Sequence, residues 1–98
     1  MTTRRAIIVH GTDNVATALA DLTPGDQATV IGARTPGVIT ASQPIPFGHK
    51  IALTTIEVGE AVVKYGNVIG RATQRITPGQ HVHIHNVESL RGRGDVSS

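Results

Sequence analysis

Ile76-Thr77-Pro78-Gly79-Gln80-His81-Val82-His83-Ile84-His85-Asn86 carries a turn signal followed by a strand signal. From His81 to Asn86 the histidines alternate with Val82 and Ile84, and a period of two carried by β-branched residues predicts a strand. All three imidazoles then share one face. Neighbours two apart lie roughly 7 Å apart at Cα, so a pair such as His81 and His83 can reach one metal ion, while His81 and His85 are too far apart. An ordinary hydrogen-bonded histidine face is the alternative for such a cluster taken alone.

The turn at the start of this stretch recurs. Leu22-Thr23-Pro24-Gly25-Asp26, Ile56-Glu57-Val58-Gly59-Glu60 and Ile76-Thr77-Pro78-Gly79-Gln80 share an aliphatic residue, a glycine three later and a polar residue after it, each ahead of a strand. Glycine supplies a positive φ while the aliphatic side chain anchors the turn on the core. Repeated turns of this kind imply a compact, many-turned β architecture. The glycines are spaced 34 and then 20 residues apart, which is too irregular for a solenoid.

Further strands are predicted at Arg5 to His10 and Ile51 to Thr55, and a hairpin joins Gln27–Ile31 to Gly37–Ala41 through a turn around Arg34-Thr35-Pro36-Gly37. Pro44 and Pro46 mark an extended connection that leads through Gly48-His49-Lys50. Between the first two strands, Val15, Leu19 and Leu22 recur at helical spacing behind Thr12 and Asp13. These predict one short helix over Val15 to Asp21, capped by Thr12 or Asp13 and ended by Pro24-Gly25. Residues 1–90 read as one domain, and the polar, glycine-rich residues 91–98 as a flexible tail.

Composition narrows the function. Ninety-eight residues support a single core. With Phe47 and Tyr65 the only aromatics, that core must be built from branched aliphatics, which favours strands. The absence of cysteine removes disulfides, thiolate metal sites and thiol nucleophiles, and fits a reducing compartment. Apolar runs such as Ala6 to Val9 are too short to span a membrane, so the expectation is a cytoplasmic protein without a membrane partner. Nine Lys and Arg stand against seven Asp and Glu, with Arg4, Arg5, Arg91 and Arg93 near the termini. The interior lacks the basic face and stacking aromatics that nucleic-acid binding needs.

Four segments, Val9-His10-Gly11-Thr12-Asp13-Asn14-Val15-Ala16, Gly48-His49-Lys50-Ile51-Ala52-Leu53, Lys64-Tyr65-Gly66-Asn67-Val68-Ile69-Gly70 and His81-Val82-His83-Ile84-His85-Asn86, together resemble one family. It is the SAF domain, the small N-terminal module of altronate and galactarate dehydratases. The resemblance implies a mainly β, β-clip fold. It also implies a lyase acting on a hydroxy acid, in which this chain is the small subunit that completes the active site of a separate large catalytic subunit. A divalent metal, iron or manganese, is implied for the complete enzyme. Small subunits of sulfolactate sulfo-lyase are similar as well. The other alternative is a non-catalytic ligand-binding or interaction module, and an orphan subunit is expected to expose a docking face that supports homo-oligomers.

Eliminating water beside a carboxylate needs a base for the carbon-bound proton, cations for the developing enediolate charge and an acid for the leaving group. His10 and His49 are the candidate acid–base residues, since imidazole titrates near neutrality. Lys50 and Lys64 are candidates for binding the substrate's carboxylates, joined by the Tyr65 hydroxyl and by Asn14. His81 and His83 are the candidate metal ligands.

Overall fold

The computed structural model describes residues 4–32 and 37–89; the expected tail and most of the turn around Arg34 to Pro36 lie outside them. The architecture is mainly β. In chain order the strands are β1 (Arg4–Ile8), β2 (Val15–Ala18), β3 (Gln27–Gly32), β4 (Gly37–Thr40), β5 (Lys50–Ala52), β6 (Ala61–Lys64), β7 (Asn67–Ala72), β8 (His81–Val82) and β9 (Val87–Ser89). One sheet runs β4-β3-β1-β2-β5-β8 and the other β6-β7-β9. Among the described residues only β1 and β3 pair in parallel.

The repeated turn organises this arrangement, and it occurs four times rather than three. Thr23–Asp26, Pro46–His49, Glu57–Glu60 and Thr77–Gln80 each close with a bond from the last N–H to the first carbonyl. Their third residues, Gly25, Gly48, Gly59 and Gly79, have φ between 85° and 94°, as a type II turn requires. The turns associate in two pairs by the same bonds. Gly25 donates to the Ala41 carbonyl and Gly48 to that of Ala18, both at 2.8 Å; Gly59 donates to Ala72 and Gly79 to Ala52 at 2.8 and 2.9 Å. One residue ahead of each turn, an aliphatic residue pairs through its backbone with its counterpart, Leu22 with Ile45 and Ile56 with Ile76. All four are buried, and each pair centres one core. Full burial of such a side chain is worth roughly 1.5–3 kcal/mol.

No helix occurs among the described residues, which corrects the expected one over Val15 to Asp21. Val15–Ala18 is strand β2, between β1 and β5, with all four residues buried. Val15 enters one core while Ala16 and Ala18 enter the other. A two-turn helix is marginal in water and would bury one face, whereas the central strand pairs along both edges and buries both faces. Leu19, counted towards the helical stripe, is 41% exposed. Asp13 does not cap a helix but accepts the backbone N–H groups of Val9 and His10, both at 3.1 Å.

Candidate functional site

The antiparallel register of β5 and β8, Ile51 opposite His81 and Lys50 opposite Val82, brings His49 beside the β8 histidines. The His49 and His83 rings stack with centroids 4.3 Å apart, and the His81 ring lies 5.1 Å from His49 and 5.3 Å from His83. Nδ1 of His49 is 2.9 Å from Nε2 of His81, so one of the two carries the proton between them. Nδ1 of His83 is buried and has no hydrogen-bond partner.

The predicted strand over His81 to Asn86 ends at Val82. Asn86, which is buried, turns the chain: its Oδ1 accepts the His83 N–H at 2.9 Å, its Nδ2 donates to the His81 carbonyl at 2.8 Å, and its own N–H donates to the His83 carbonyl at 3.1 Å. The turn folds His85 back until its ring centroid is 5.2 Å from that of His81, so the outer pair is as close as the inner one.

Burial, reinforced by His49, His85, His83 and Lys50, lowers the pKa of His81 to about 4. His83 is lowered by burial and then by His49, Lys50 and His85. Both rings are therefore neutral at pH 7 and can donate lone pairs. One nitrogen each of His49, His81 and His83 lies within 4.8 Å of the others. Two nitrogens on one ion at about 2.1 Å stand at most about 4.2 Å apart, so the trio is close to ligation spacing. With the orphaned His83 nitrogen, these residues fit a divalent metal.

A cationic row continues from the trio. Lys50 and His83 line an open cleft with Ile69, Ile84, Val87 and Ser89. Lys50 lies opposite Thr17 on the β2–β5 ladder. The Thr17 hydroxyl is 3.4 Å from that of Tyr65, and the Lys64 ammonium sits 4.8 Å over the Tyr65 ring. Burial, then the neighbouring Lys64, lowers the pKa of Lys50. The ion pairs among the described residues, Arg4–Asp26 and Arg75–Glu57, involve neither lysine.

His10 ends the row. Its ring packs on Gly66, where a Cβ would come within 3.1 Å, and its Nδ1 accepts the Thr12 N–H at 3.2 Å. The same nitrogen lies 2.8 Å from the Thr12 hydroxyl oxygen. Asp13 ties the two loops together by accepting the Gly66 N–H at 2.7 Å as well as those of Val9 and His10. Burial pushes its carboxyl up, but the backbone N–H groups of Gly66, His10, Val9 and Tyr65 together hold it below the usual range. Tyr65 has φ 56° and Gly66 φ 77°, the left-handed pair of a type I′ hairpin. Asn14 is taken up by the scaffold: its Nδ2 donates to the Ala61 carbonyl at 2.9 Å and its Oδ1 accepts the Val63 N–H at 2.7 Å.

The structure thus gathers His49, Lys50, His81, His83 and His85, and places Tyr65 and Lys64 alongside through Thr17. His10 makes no hydrogen bond or ring contact with the trio among the described residues. Sequence reading missed Thr17 and the grouping of His49 with His81 and His83. The readable signal was the fourth copy of the turn, Ile45-Pro46-Phe47-Gly48-His49.

The profile of the altronate/galactarate dehydratase SAF domain matches residues 4–90. The chain belongs to this family. It is 45% identical over 83 residues to altronate dehydratase of Escherichia coli K12 and 40% identical over 83 residues to that of Bacillus subtilis 168. Each match covers 85% of the chain and 16% of the relative, so the chain spans about one sixth of the dehydratases it matches. It is also 49% identical over 47 residues to the (2R)-sulfolactate sulfo-lyase subunit alpha of Chromohalobacter salexigens, covering 48% of the chain and 50% of that subunit. Relatives of the SAF family are thus dehydratases or lyases, and in the dehydratases the matched segment is a small part of a larger protein. No helix among the described residues is long and apolar enough to cross a membrane.

Proposed function

We propose that this SAF module is the small subunit of a cytoplasmic lyase that dehydrates a sugar acid such as altronate or galactarate, and that it completes the active site of a separate large catalytic subunit. The observation that carries this reading is the run of imidazoles and ammonium groups from His81 to Lys64, whose lysines have no carboxylate partner among the described residues. Such a run suits an anionic substrate.

In this reading His49, His81 and His83 hold a divalent metal, iron or manganese, which when bound supplies Lewis-acid polarisation of the substrate's carboxylate or hydroxyl. Its membership of the trio favours a ligand role for His49 over the acid–base role expected from sequence. Lys50 and Lys64 offset the charge of the carboxylate and of the enediolate that follows proton removal, and the Tyr65 and Thr17 hydroxyls orient the acid between them. His10, with Nδ1 held against the hydroxyl and N–H of Thr12, presents Nε2, from which the imidazolium can hand a proton to a departing hydroxyl. Asn14, with both ends of its amide engaged, is structural in this reading rather than substrate-binding. Proton abstraction falls to the large subunit.

Mixing the purified chain with the large subunit and assaying dehydration of altronate and galactarate tests the proposal. Activity only in the mixture supports it, and full activity of the large subunit alone refutes it. The 49% identity to a sulfo-lyase subunit favours one second reading, a sulfolactate-type sulfo-lyase small subunit. Sulfite release from sulfolactate by the same mixture distinguishes the two.

A further inference from the structure

The four turns differ in one detail that bears on the imidazole trio. In three of them the residue after the glycine caps its own turn by accepting the N–H three residues back: Asp26 Oδ2 from Thr23 at 2.8 Å, Glu60 Oε1 from Glu57 at 2.7 Å, and Gln80 Oε1 from Thr77 at 2.8 Å. Short and long side chains serve equally, so the requirement is an acceptor and not a particular reach. In the fourth, the position that would offer that N–H is Pro46, and the position that would accept it is His49.

The proline is displaced by one residue relative to two of its counterparts. Pro24 and Pro78 occupy the second position of their turns, whereas Pro46 occupies the first, which leaves Phe47 with an N–H at the second. That N–H is taken by Asp21 Oδ1 at 2.8 Å, from outside the turn. Every donor of the fourth turn is thereby met without His49. The His49 Nδ1 faces His81 instead. An imidazole of this chain does accept a backbone N–H where one is offered, as His10 Nδ1 does from Thr12.

We propose that Pro46 is a positioning residue: by withholding an N–H it keeps the His49 imidazole out of its own turn and delivers it to His81 and His83. The inference deepens the proposed function, because it presumes that the trio is the working site.

The test is the double variant Pro46→Thr with Phe47→Pro, which reproduces the Thr-Pro-Gly order of the first and last turns at a site where Phe47 is exposed. The parent and variant full-length chains are compared metal-free by 15N NMR of the histidine rings and by amide exchange, then titrated with Co(II). The expected result is a protected amide at residue 46, a changed His49 Nδ1 resonance, loss of the His49–His81 contact, and Co(II) affinity weakened about two- to tenfold, the worth of one neutral hydrogen bond. Unchanged His49 resonances and affinity, with the new amide exchanging freely in a folded chain, overturn the proposal. Should the double variant not fold, Pro46→Ala adds the same N–H and is read in the same way. Should the parent bind no Co(II), the metal reading fails, while the ring resonances still decide the role of Pro46.

Discussion

Replacing each turn glycine by alanine in turn should expose a difference that the shared backbone conformation hides. Gly25, Gly48, Gly59 and Gly79 all have φ near 90°, where an L-residue costs about 1–2 kcal/mol. Alanine recovers about 0.4–1 kcal/mol by restricting the unfolded chain. At Gly25, Gly48 and Gly59 an added Cβ meets nothing within 4 Å, so the net cost is about 1 kcal/mol or less. At Gly79 the same Cβ lies 2.2 Å from the Thr40 carbonyl oxygen, a backbone atom that can yield only by moving the end of β4. Adding about 1–3 kcal/mol for that overpacking brings Gly79→Ala to about 3 kcal/mol. For a domain of this size the first three variants should lose no more than about 8 °C in melting temperature and Gly79→Ala about 12–24 °C. Urea and thermal unfolding of the four variants, each tested for two-state behaviour, make the measurement. A Gly79→Ala chain no less stable than Gly59→Ala refutes the reasoning, since only the contact with Thr40 separates them.

Acid should destabilise the metal-free fold in a window set by His81. Its folded pKa of about 4 lies below the ordinary 6.5, so the unfolded chain binds the extra proton first. The contribution is complete above pH 6.5, is lost as pH falls towards 4, and amounts to about 1–2 kcal/mol once solvent screening is allowed for; urea midpoints across that range in chelator should fall, and should fall less in His81→Asn. Asp13 and Asp26, held below the usual 3.8, act at lower pH. Lys50→Met removes a half-buried ammonium facing Lys64, so stability should rise by about 0.5–1 kcal/mol in a thermal melt while the KM of the reconstituted enzyme for its acid rises at least about tenfold. Tyr65→Phe keeps the hairpin and the ring beneath Lys64; the melting temperature should hold within about 2 °C, because the hydroxyl bond it removes is long and partly exposed, while kcat falls in steady-state assays.

Local turn chemistry was the most legible part of the fold. Gly25, Gly59 and Gly79 announced their turns because an aliphatic residue three before and an acceptor one after stood at fixed offsets. The fourth copy, Ile45-Pro46-Phe47-Gly48-His49, keeps the aliphatic residue and the glycine at the same offsets, but Pro44 and Pro46 made it read as an extended connection. Val15, Leu19 and Leu22 misled because three apolar positions at helical spacing do not reveal that both faces of Val15–Ala18 are covered by other strands. The histidine run was legible in composition and not in shape: the bonds of Asn86 to His81 and His83 end the strand, and nothing in the alternation of His81 to His85 foretells them. His10, His49 and Lys50 stood out as chemistry-bearing residues. Which of them meet was decided by the β5–β8 register, a pairing across 32 residues that local pattern does not encode.

The imidazole trio draws His49 from the residue just ahead of β5, and His81 and His83 from β8 and the turn after it. A ligand gripping both sides is then a removable cross-link that closes a 32-residue loop, the separation of His49 from His81. A disulfide of that span restrains the unfolded chain, whereas this cross-link stabilises the folded one, reversibly and by an amount that grows with ligand concentration, about 2.7 kcal/mol at one hundred times its dissociation constant. Occupancy of the site and cohesion of the fold become a single equilibrium, so a module starved of its ligand is also a looser one.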